Sequence, residues 1–547
     1  MKYTKLFTSA FAAALVVSVN QLVAQETIRP EALRTRLFAL AHDSMMGRQP
    51  GTPGNTKASE YVAAEFRRLG LTPMGENGTF FQTLPFVRLV PDPASLLEVD
   101  GVGLSFGTDY LPSNLATAPR ENASAPVVYG GVINNPSTWI LAEQAGGKVV
   151  VMGFDPALSP RGLGGVAQDP RFKDAIILAS ANLAQVPPAT VARLRSGGVS
   201  LAPTGQGAGG PLTMFLSVAG AERLMGQSLT GLAPGMAGKR VLVRILARSE
   251  PFEHPARNVI ALIPGSDPRL RGQYLSLTAH NDHVGTTPQV VDHDSIRAFN
   301  HVVRPMGADS PMRPATGEEQ ARITAILDSL RRAHPPRRDS IMNGADDDGT
   351  GTVALLEIAR SLMAQRTKPR RTILFVSHTA EEMGLLGSRW FTDHPTVPRD
   401  SIVAEIDMDM IGRGNAADLP EGGPGYLEII GAKRLSKEFG DTLEAVNARQ
   451  PQPFTFNYTY DQPGHPLQYY CRADHYSYAR YGIPATALSR GEHLDYHQVT
   501  DEPQYIDYDA LARVARLVRD AALAIGNMDH RPVLHGPRTD PNAPCRQ

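Results

Sequence analysis

Apolar residues recur at helical spacing in EALRTRLFALAHDSMM and again in TKASEYVAAEFRRLGL, which predicts two amphipathic helices early in the chain. The GRQPGTPG between them is turn chemistry. From Pro112 to Lys239 the texture changes. Short β-branched runs (PVVYGGVI, KVVVMGF, DAIILAS) alternate with Gly- and Pro-rich pieces such as APTGQGAGGPL. That predicts a small β-rich domain at 112–239, spliced into a larger one. From Arg257 onward the apolar runs lengthen into NVIALIPG, QYLSLTAH, RTILFVS and SIVAEIDMDMIG. A helix, GTGTVALLEIARSLMAQ, puts Leu355, Ile358, Ala359 and Leu362 on one face. Near-continuous apolar strands alternating with amphipathic helices predict an α/β layer fold, with 25–111 as its N-terminal part and 240–527 as its main part. Ligands of such folds bind beyond the carboxyl ends of the strands.

Length and composition narrow the picture. At 547 residues two or three domains are expected, and 42% hydrophobic with 20% charged residues describes a globular protein with ample core. A formal net charge of -1, without a Lys/Arg-rich run, gives no reason to expect nucleic acid or an anionic membrane as partner. Lys2 and Lys5 precede the apolar run LFTSAFAAALVVSV, and Leu22-Val-Ala24 follows it. This is the layout of a secretory signal peptide at 1–24, so a periplasmic or secreted protein is expected. The run is short for a membrane span, and with no cysteine near the cleavage point no membrane anchor is expected. Spacing does not decide whether Cys471 and Cys545 pair. Cys545 lies in the Pro-rich tail at 528–547, which reads as poorly ordered.

The candidate chemistry gathers at strand ends. YLSLTAHNDH ends in His280 and Asp282; NGADDDGTG holds Asp346, Asp347 and Asp348; TILFVS runs into Glu381 and Glu382. SIVAEIDMDMIG carries Asp407 and Asp409 on one face of a strand, and GEHLDYHQVTDEP adds His493 and His497. Each piece alone has a plain structural explanation: the Asp run, for example, is what an N-cap looks like. Together they place several carboxylates in a small volume, where mutual repulsion drives protonation unless cations intervene. Imidazole mixed with carboxylate suits zinc, and a pair of ions bridged by one carboxylate serves hydrolysis. One of the adjacent glutamates can then bind metal while its neighbour moves protons. The residues alone do not choose among Asp346, Asp347 and Asp348, or between Asp407 and Asp409.

LTAHNDHVG, NGADDDGTGTVALLEIAR, FVSHTAEEMGLLGS, EIDMDMIGR, ADHYSYARYGIPA and DYHQVTDEP occur in the order found in the co-catalytic zinc aminopeptidases, a family related to glutamate carboxypeptidase, and the chain closely resembles that family. LAHDSMMGRQPGTPGNTKASEYVAAEFRRLGLTPMGENGTFFQ is similar to its N-terminal segment. The resemblance implies the zinc exopeptidase fold, a mixed central sheet flanked by helices. It further implies two zinc ions per chain and a peptide substrate with a free N-terminus. It makes His280, Asp347 and Asp409 ligands of one ion and Asp347, Glu382 and His497 ligands of the other, with Glu381 the general base and Asp282 orienting His280. Tyr469 and Tyr470 read as ordinary packing, with an oxyanion-donor or pocket-lining role as the alternative; His475, Tyr476 and His493 read as structural or substrate-facing.

The sequence departs from the family pattern at Ala380 (usually Gly), Asp407 (usually Asn) and Asn281 (often Tyr). A long stretch at 285–342, containing the helical TGEEQARITAILDSLRRAH, is expected near the active site. The insert resembles the protease-associated domain through PVVYGGVI and AGGKVVVMGFDP. Alternatives are a carboxypeptidase or dipeptidase of the same family, for which Arg413 or Arg490 would grip a substrate carboxylate, and a non-catalytic receptor-like binding protein. Gly103-Leu-Ser105-Phe-Gly107 fits a serine-hydrolase pattern, but no helical period follows it.

Overall fold

The computed structural model describes residues 27–158, 162–202, 209–535, 540–543 and 545–547. The predicted signal segment, residues 1–24, lies outside the described residues. No helix among the described residues is long and apolar enough to cross a membrane. The chain divides into two compact units, one formed by residues up to Leu84 and from Glu253 onward, the other by Pro85–Phe252.

The first unit is an α/β structure on a mixed nine-stranded sheet. Its strands are β1 (Thr72–Pro73), β2 (Phe81–Thr83), β3 (Arg257–Ile263), β4 (Tyr274–His280), β5 (Thr372–His378), β6 (Ile402–Met408), β7 (Tyr426–Ile430), β8 (Thr455–Asn457) and β9 (Ala485–Ser489). They lie in the order β1-β3-β5-β4-β6-β9-β7-β8, with β2 also paired to β3. The central β5, β4, β6 and β9 run parallel, while β3 and β7 are antiparallel to their neighbours β5 and β9. Helices α1 (Pro30–Leu40), α2 (Pro53–Leu69), α3 (His293–Val303), α4 (Gly317–Ala333), α5 (Gly351–Ala364) and α6 (Tyr508–Gly526) accompany the sheet and its loops.

The near-continuous apolar strands follow from burial on both faces. Alternate residues sort to two cores: Val259, Ala261, Leu275, Leu277, Phe375 and Ile406 join the core that includes α2, α5 and α6. Ile260, Leu262, Leu374, Val376 and Ile402 face the other way, toward Phe391 and Tyr478. Both α1 and α2 begin with proline at the first helical position, where its missing N–H is no loss, and Gly70 ends α2 in the left-handed region at φ 80°.

The 285–342 stretch has its own structure. An antiparallel ribbon (Thr286–Asp292 with Arg338–Ile341) encloses α3 and α4. Thr316 and Glu319 form a reciprocal capping box at the start of α4, with Thr316 N–H donating to Glu319 at 2.8 Å. The stretch packs on the segment before His497: Arg297 meets Asp495 at 2.9 Å, Asn300 donates to Leu494 O at 2.8 Å, and Ala308 N–H donates to Tyr496 O at 3.1 Å. Gly307 (φ 50°) permits this approach, since a Cβ there would lie 2.5 Å from Tyr496 O.

The second unit carries an eight-stranded sheet whose middle strands, Arg120–Val132, Val149–Gly153, Ile177–Ser180 and Leu212–Leu216, are parallel. A three-stranded sheet pairs Phe86–Pro91 with Gly198–Leu201 and Ala247–Pro251. The unit extends beyond 112–239 on both sides because its flanking strands, such as Leu96–Val99 and Ala237–Ile245, pair with each other and not with the larger sheet. Ser105 lies in a turn leading to the strand Tyr110–Asn114, with no helix after it, so the strand-turn-helix of a serine nucleophile is missing.

Cys471 and Cys545 are disulfide-bonded across 74 residues. The tail's last residue is tied in as well: Tyr470 N–H donates to Gln547 Oε1 at 2.9 Å, and Gln547 Nε2 donates to Tyr460 O at 2.9 Å. Residues 545–547 are thus held, contrary to the loose tail expected from composition. Closing a loop of this length is worth about 4 kcal/mol by chain entropy. Reduction, or Cys471→Ser with Cys545→Ser, is expected to lower denaturant stability by that order, and a shift under 1 kcal/mol would contradict it.

Candidate metal centre

The parallel strands β5, β4, β6 and β9 deliver their carboxyl ends to one edge of the sheet. His280 ends β4 in register with His378, the end of β5, so the loop that follows brings Glu381 and Glu382 alongside. Asp409 follows β6, and the chain after β9 leads to His497. Ala380 (φ 57°), Met410 (φ 56°) and His497 (φ 54°) are left-handed without being glycine. Such backbone costs about 1–3 kcal/mol per residue and clusters at functional sites.

Two donor groups result. In the first, His280 Nε2 lies 3.3 Å from Asp347 Oδ1 and 3.7 Å from Asp409 Oδ1. In the second, His497 Nε2 lies 3.0 Å from both Asp347 Oδ2 and Glu382 Oε2. Asp347 belongs to both groups. Glu381 stands beside them, Oε2 4.0 Å from His280 Nε2.

The neighbouring acids are occupied elsewhere. Asp346 accepts from Thr350 Oγ1 at 2.9 Å and Gly412 N–H at 2.7 Å. Asp348 accepts from the N–H groups of His280 (3.0 Å), Gly351 (2.8 Å) and Met410 (3.3 Å). Of the three consecutive aspartates, Asp347 is the one whose carboxylate meets the imidazoles of both groups. Asp407 lies within the sheet, sharing the Thr278 hydroxyl (2.7 Å) with Glu405 (2.5 Å). One hydroxyl has one proton, so one of these two carboxyls carries its own; burial and the Asp407 charge raise Glu405 well above the usual carboxylate range.

Asp282 is fully buried and joins the halves of the site. Its carboxylate lies 3.4 Å from His280 Nδ1 and accepts from Glu381 N–H at 3.2 Å and Glu382 N–H at 3.4 Å. Two participants escaped the sequence reading. His283, fully buried, lies with Nδ1 2.8 Å from Glu382 Oε1. Arg48, in the segment read as a turn, is also fully buried and donates to the carbonyls of Asn281 (3.0 Å), Gly344 (2.8 Å), Asp347 (3.3 Å) and Asn343. Position in LTAHNDHVG was the available signal for His283; an arginine in a Gly- and Pro-rich turn gave none for Arg48.

The electrostatics favour a cation. Burial alone would lower the imidazoles, yet Asp282, Asp347 and Asp409 hold His280 well above its ordinary value, and Glu382 with Asp347 brings His497 up to about 11. Burial pushes Glu381 up, and Glu382 and Asp409 push it the same way. His280 Nε2, His497 Nε2, Asp347 Oδ2, Glu382 Oε1 and Asp409 Oδ1 are buried without hydrogen-bond partners. Buried orphan donors of the imidazole and carboxylate kind, facing one another in threes and fours, fit divalent metal of the zinc type.

A cleft opens beside the groups, lined by Glu381, Glu382, Met410, Ile430, Tyr469, Arg472, Glu492 and Tyr496 among others. The Tyr496 ring stacks on His497 at 4.0 Å. Arg472 on the wall is met by Asp309 of the 285–342 stretch at 2.5 Å. Tyr469 reaches the cleft, but Tyr470 is buried beneath Arg434. His475 is buried against Tyr470, and Tyr476 packs beside the same ring. His493 faces Asp346 at 3.3 Å, away from the donor groups. Arg413 is engaged by Asp418 and Asp495, and Arg490 by the carbonyls of Arg413, Tyr426 and Gly423, so neither is free to grip a substrate.

Fold and donor set together define an α/β protein with a candidate metal centre at the carboxyl edge of its sheet. Residues 258–522, which hold both donor groups, match the model of peptidase family M28. Among curated proteins, mouse aminopeptidase NAALADL1 is 40% identical over 98 residues, 17% of this chain and 13% of that protein. Leucine aminopeptidase 1 of Penicillium rubens is 30% identical over 214 residues, covering 37% and 49%. The chain thus spans less than half the length of these relatives. Among solved structures, an aminopeptidase from Aneurinibacillus sp. strain AM-1 aligns with TM-score 0.48 and 16% identity over 94% of this chain and 97% of that one.

Proposed function

We propose that the protein is an exported exopeptidase that removes N-terminal residues from peptides, using two zinc ions. His280, Asp347 and Asp409 would hold one ion; Asp347, Glu382 and His497 would hold the other. The observation that carries this reading is the convergence of orphaned buried donors on a cleft that Glu381 lines without being needed as a donor. When bound, zinc supplies a Lewis acid that acidifies water and polarises a carbonyl. Glu381 takes a proton from the attacking water at its carboxylate and returns it to the leaving nitrogen. Asp282 fixes the His280 ring and, through two backbone N–H groups, the start of the Glu381–Glu382 loop. The disulfide supports an oxidising compartment. The second unit is read as a protease-associated-like domain without a part in the chemistry.

A second reading, removal of C-terminal residues, rests on Arg472, whose charge on the cleft wall suits a free carboxylate. Its pairing with Asp309, and the acids Glu381, Glu382 and Glu492 around it, favour an ammonium group in the cleft instead. A panel of free and N-acetylated peptides separates the two. The expected result is cleavage from free N-termini alone, abolished by a chelator and untouched by a serine-reactive phosphonate. Cleavage of acetylated peptides from the other end would establish the second reading.

A further inference from the structure

We propose that His283 is a fourth protein ligand of the ion held by Asp347, Glu382 and His497, which makes the two metal positions unequal. The inference rests on the two-ion reading above and adds to it. His283 Nδ1 lies 2.8 Å from Glu382 Oε1 and 3.6 Å from Asp347 Oδ2. Despite that closeness neither ring nitrogen makes a hydrogen bond of good geometry. The side chain is fully buried. Its ring stands edge-on to His497, centroids 5.4 Å apart at 77°. One ligand atom each from His283, Asp347, Glu382 and His497 falls within 4.8 Å of all the others, a spacing that a tetrahedral ion fills.

The backbone makes room for this ring. Gly344, three residues before Asp347, is left-handed at φ 52°, and a Cβ there would lie 2.4 Å from His283 Cγ. The loop that presents Asp347 therefore leaves a recess that the imidazole occupies. Four protein donors of the His/carboxylate kind make a closed zinc shell, whereas three leave a position for an outside ligand. The His283 ion is the anchored one, and the His280 ion, with three protein donors, is the one that exchanges ligands.

X-ray absorption on the zinc-loaded protein tests this by counting imidazoles. Three per two ions are expected, from His280, His283 and His497, falling to two in His283→Gln. Two per two ions in the unmodified protein would overturn the inference while leaving the two-zinc reading intact; absence of bound zinc would overturn both. Chelator titration gives a second measurement. The unmodified protein is expected to lose its ions in two separated steps, and His283→Gln to weaken the tighter step by more than ~100-fold. A weakening confined to ~10–100-fold is what a mere hydrogen-bonding neighbour of Glu382 produces, and it would count against ligation. Should the variant not fold, the absorption measurement on the unmodified protein decides alone.

Discussion

Glu381→Gln is expected to keep its zinc and lose ~10²–10⁴-fold in turnover, the range a general base contributes. Glutamine preserves size and shape, and the anchoring of this loop through the Glu381 N–H to Asp282 is untouched by the change. The carboxylate it replaces faces the cleft and lies outside both donor groups. Metal content and thermal stability should therefore stay near those of the unmodified enzyme, and the fall should appear in kcat more than in KM. Turnover within a few-fold of normal would remove Glu381 from the chemistry. Loss of an ion would instead make it a ligand.

The second large effect lies away from the chemistry. Arg48→Leu is expected to destabilise the protein by more than about 3 kcal/mol, because several buried carbonyls lose their donor at once. Its guanidinium satisfies four carbonyls, those of Asn281, Asn343, Gly344 and Asp347, drawn from two of the segments that deliver donors to the centre. A buried carbonyl left unpaired costs about 1–3 kcal/mol. Burial works against the charge on Arg48, while Asp347, Asp282 and Asp501 sustain it. Arg48→Lys should recover only part of the loss, because an ammonium lacks the planar fork that reaches several carbonyls. Denaturant melts of the two variants, with and without zinc, check this; a loss under 1 kcal/mol for Arg48→Leu would contradict it.

How far the sequence reveals such a site depends on the kind of signal each residue leaves. β4, β5 and β6 were legible because burial on both faces demands unbroken apolar runs, and their ends then point to His280, Glu381 and Asp409. Helix α4 was legible through the helical pattern of TGEEQARITAILDSLRRAH. The choice of Asp347 was not legible locally. Asp346 and Asp348 differ from it only in which way the loop turns them, and that turn is set by contacts with Gly412, Met410 and Asp501 distant in sequence. Family resemblance made that choice. Arg48 was hidden because an arginine in a Gly- and Pro-rich turn ordinarily reads as exposed, and here partners from remote loops bury it. His283 was passed over because His280 already served the same strand end. The limits of the second unit escaped for a related reason: Phe86–Pro91 and Leu96–Val99 are ordinary short strands, and only their pairing assigns them to that unit.

The central claim is that dispersed imidazoles and carboxylates meet around metal. Anomalous scattering from crystals grown with zinc tests it most directly. Two peaks per chain are expected, one among His280, Asp347 and Asp409 and one among Asp347, Glu382 and His497, with Asp347 between them. Crystals of the folded protein that bind no zinc there, with those side chains hydrogen-bonded to one another or turned apart, would contradict the account.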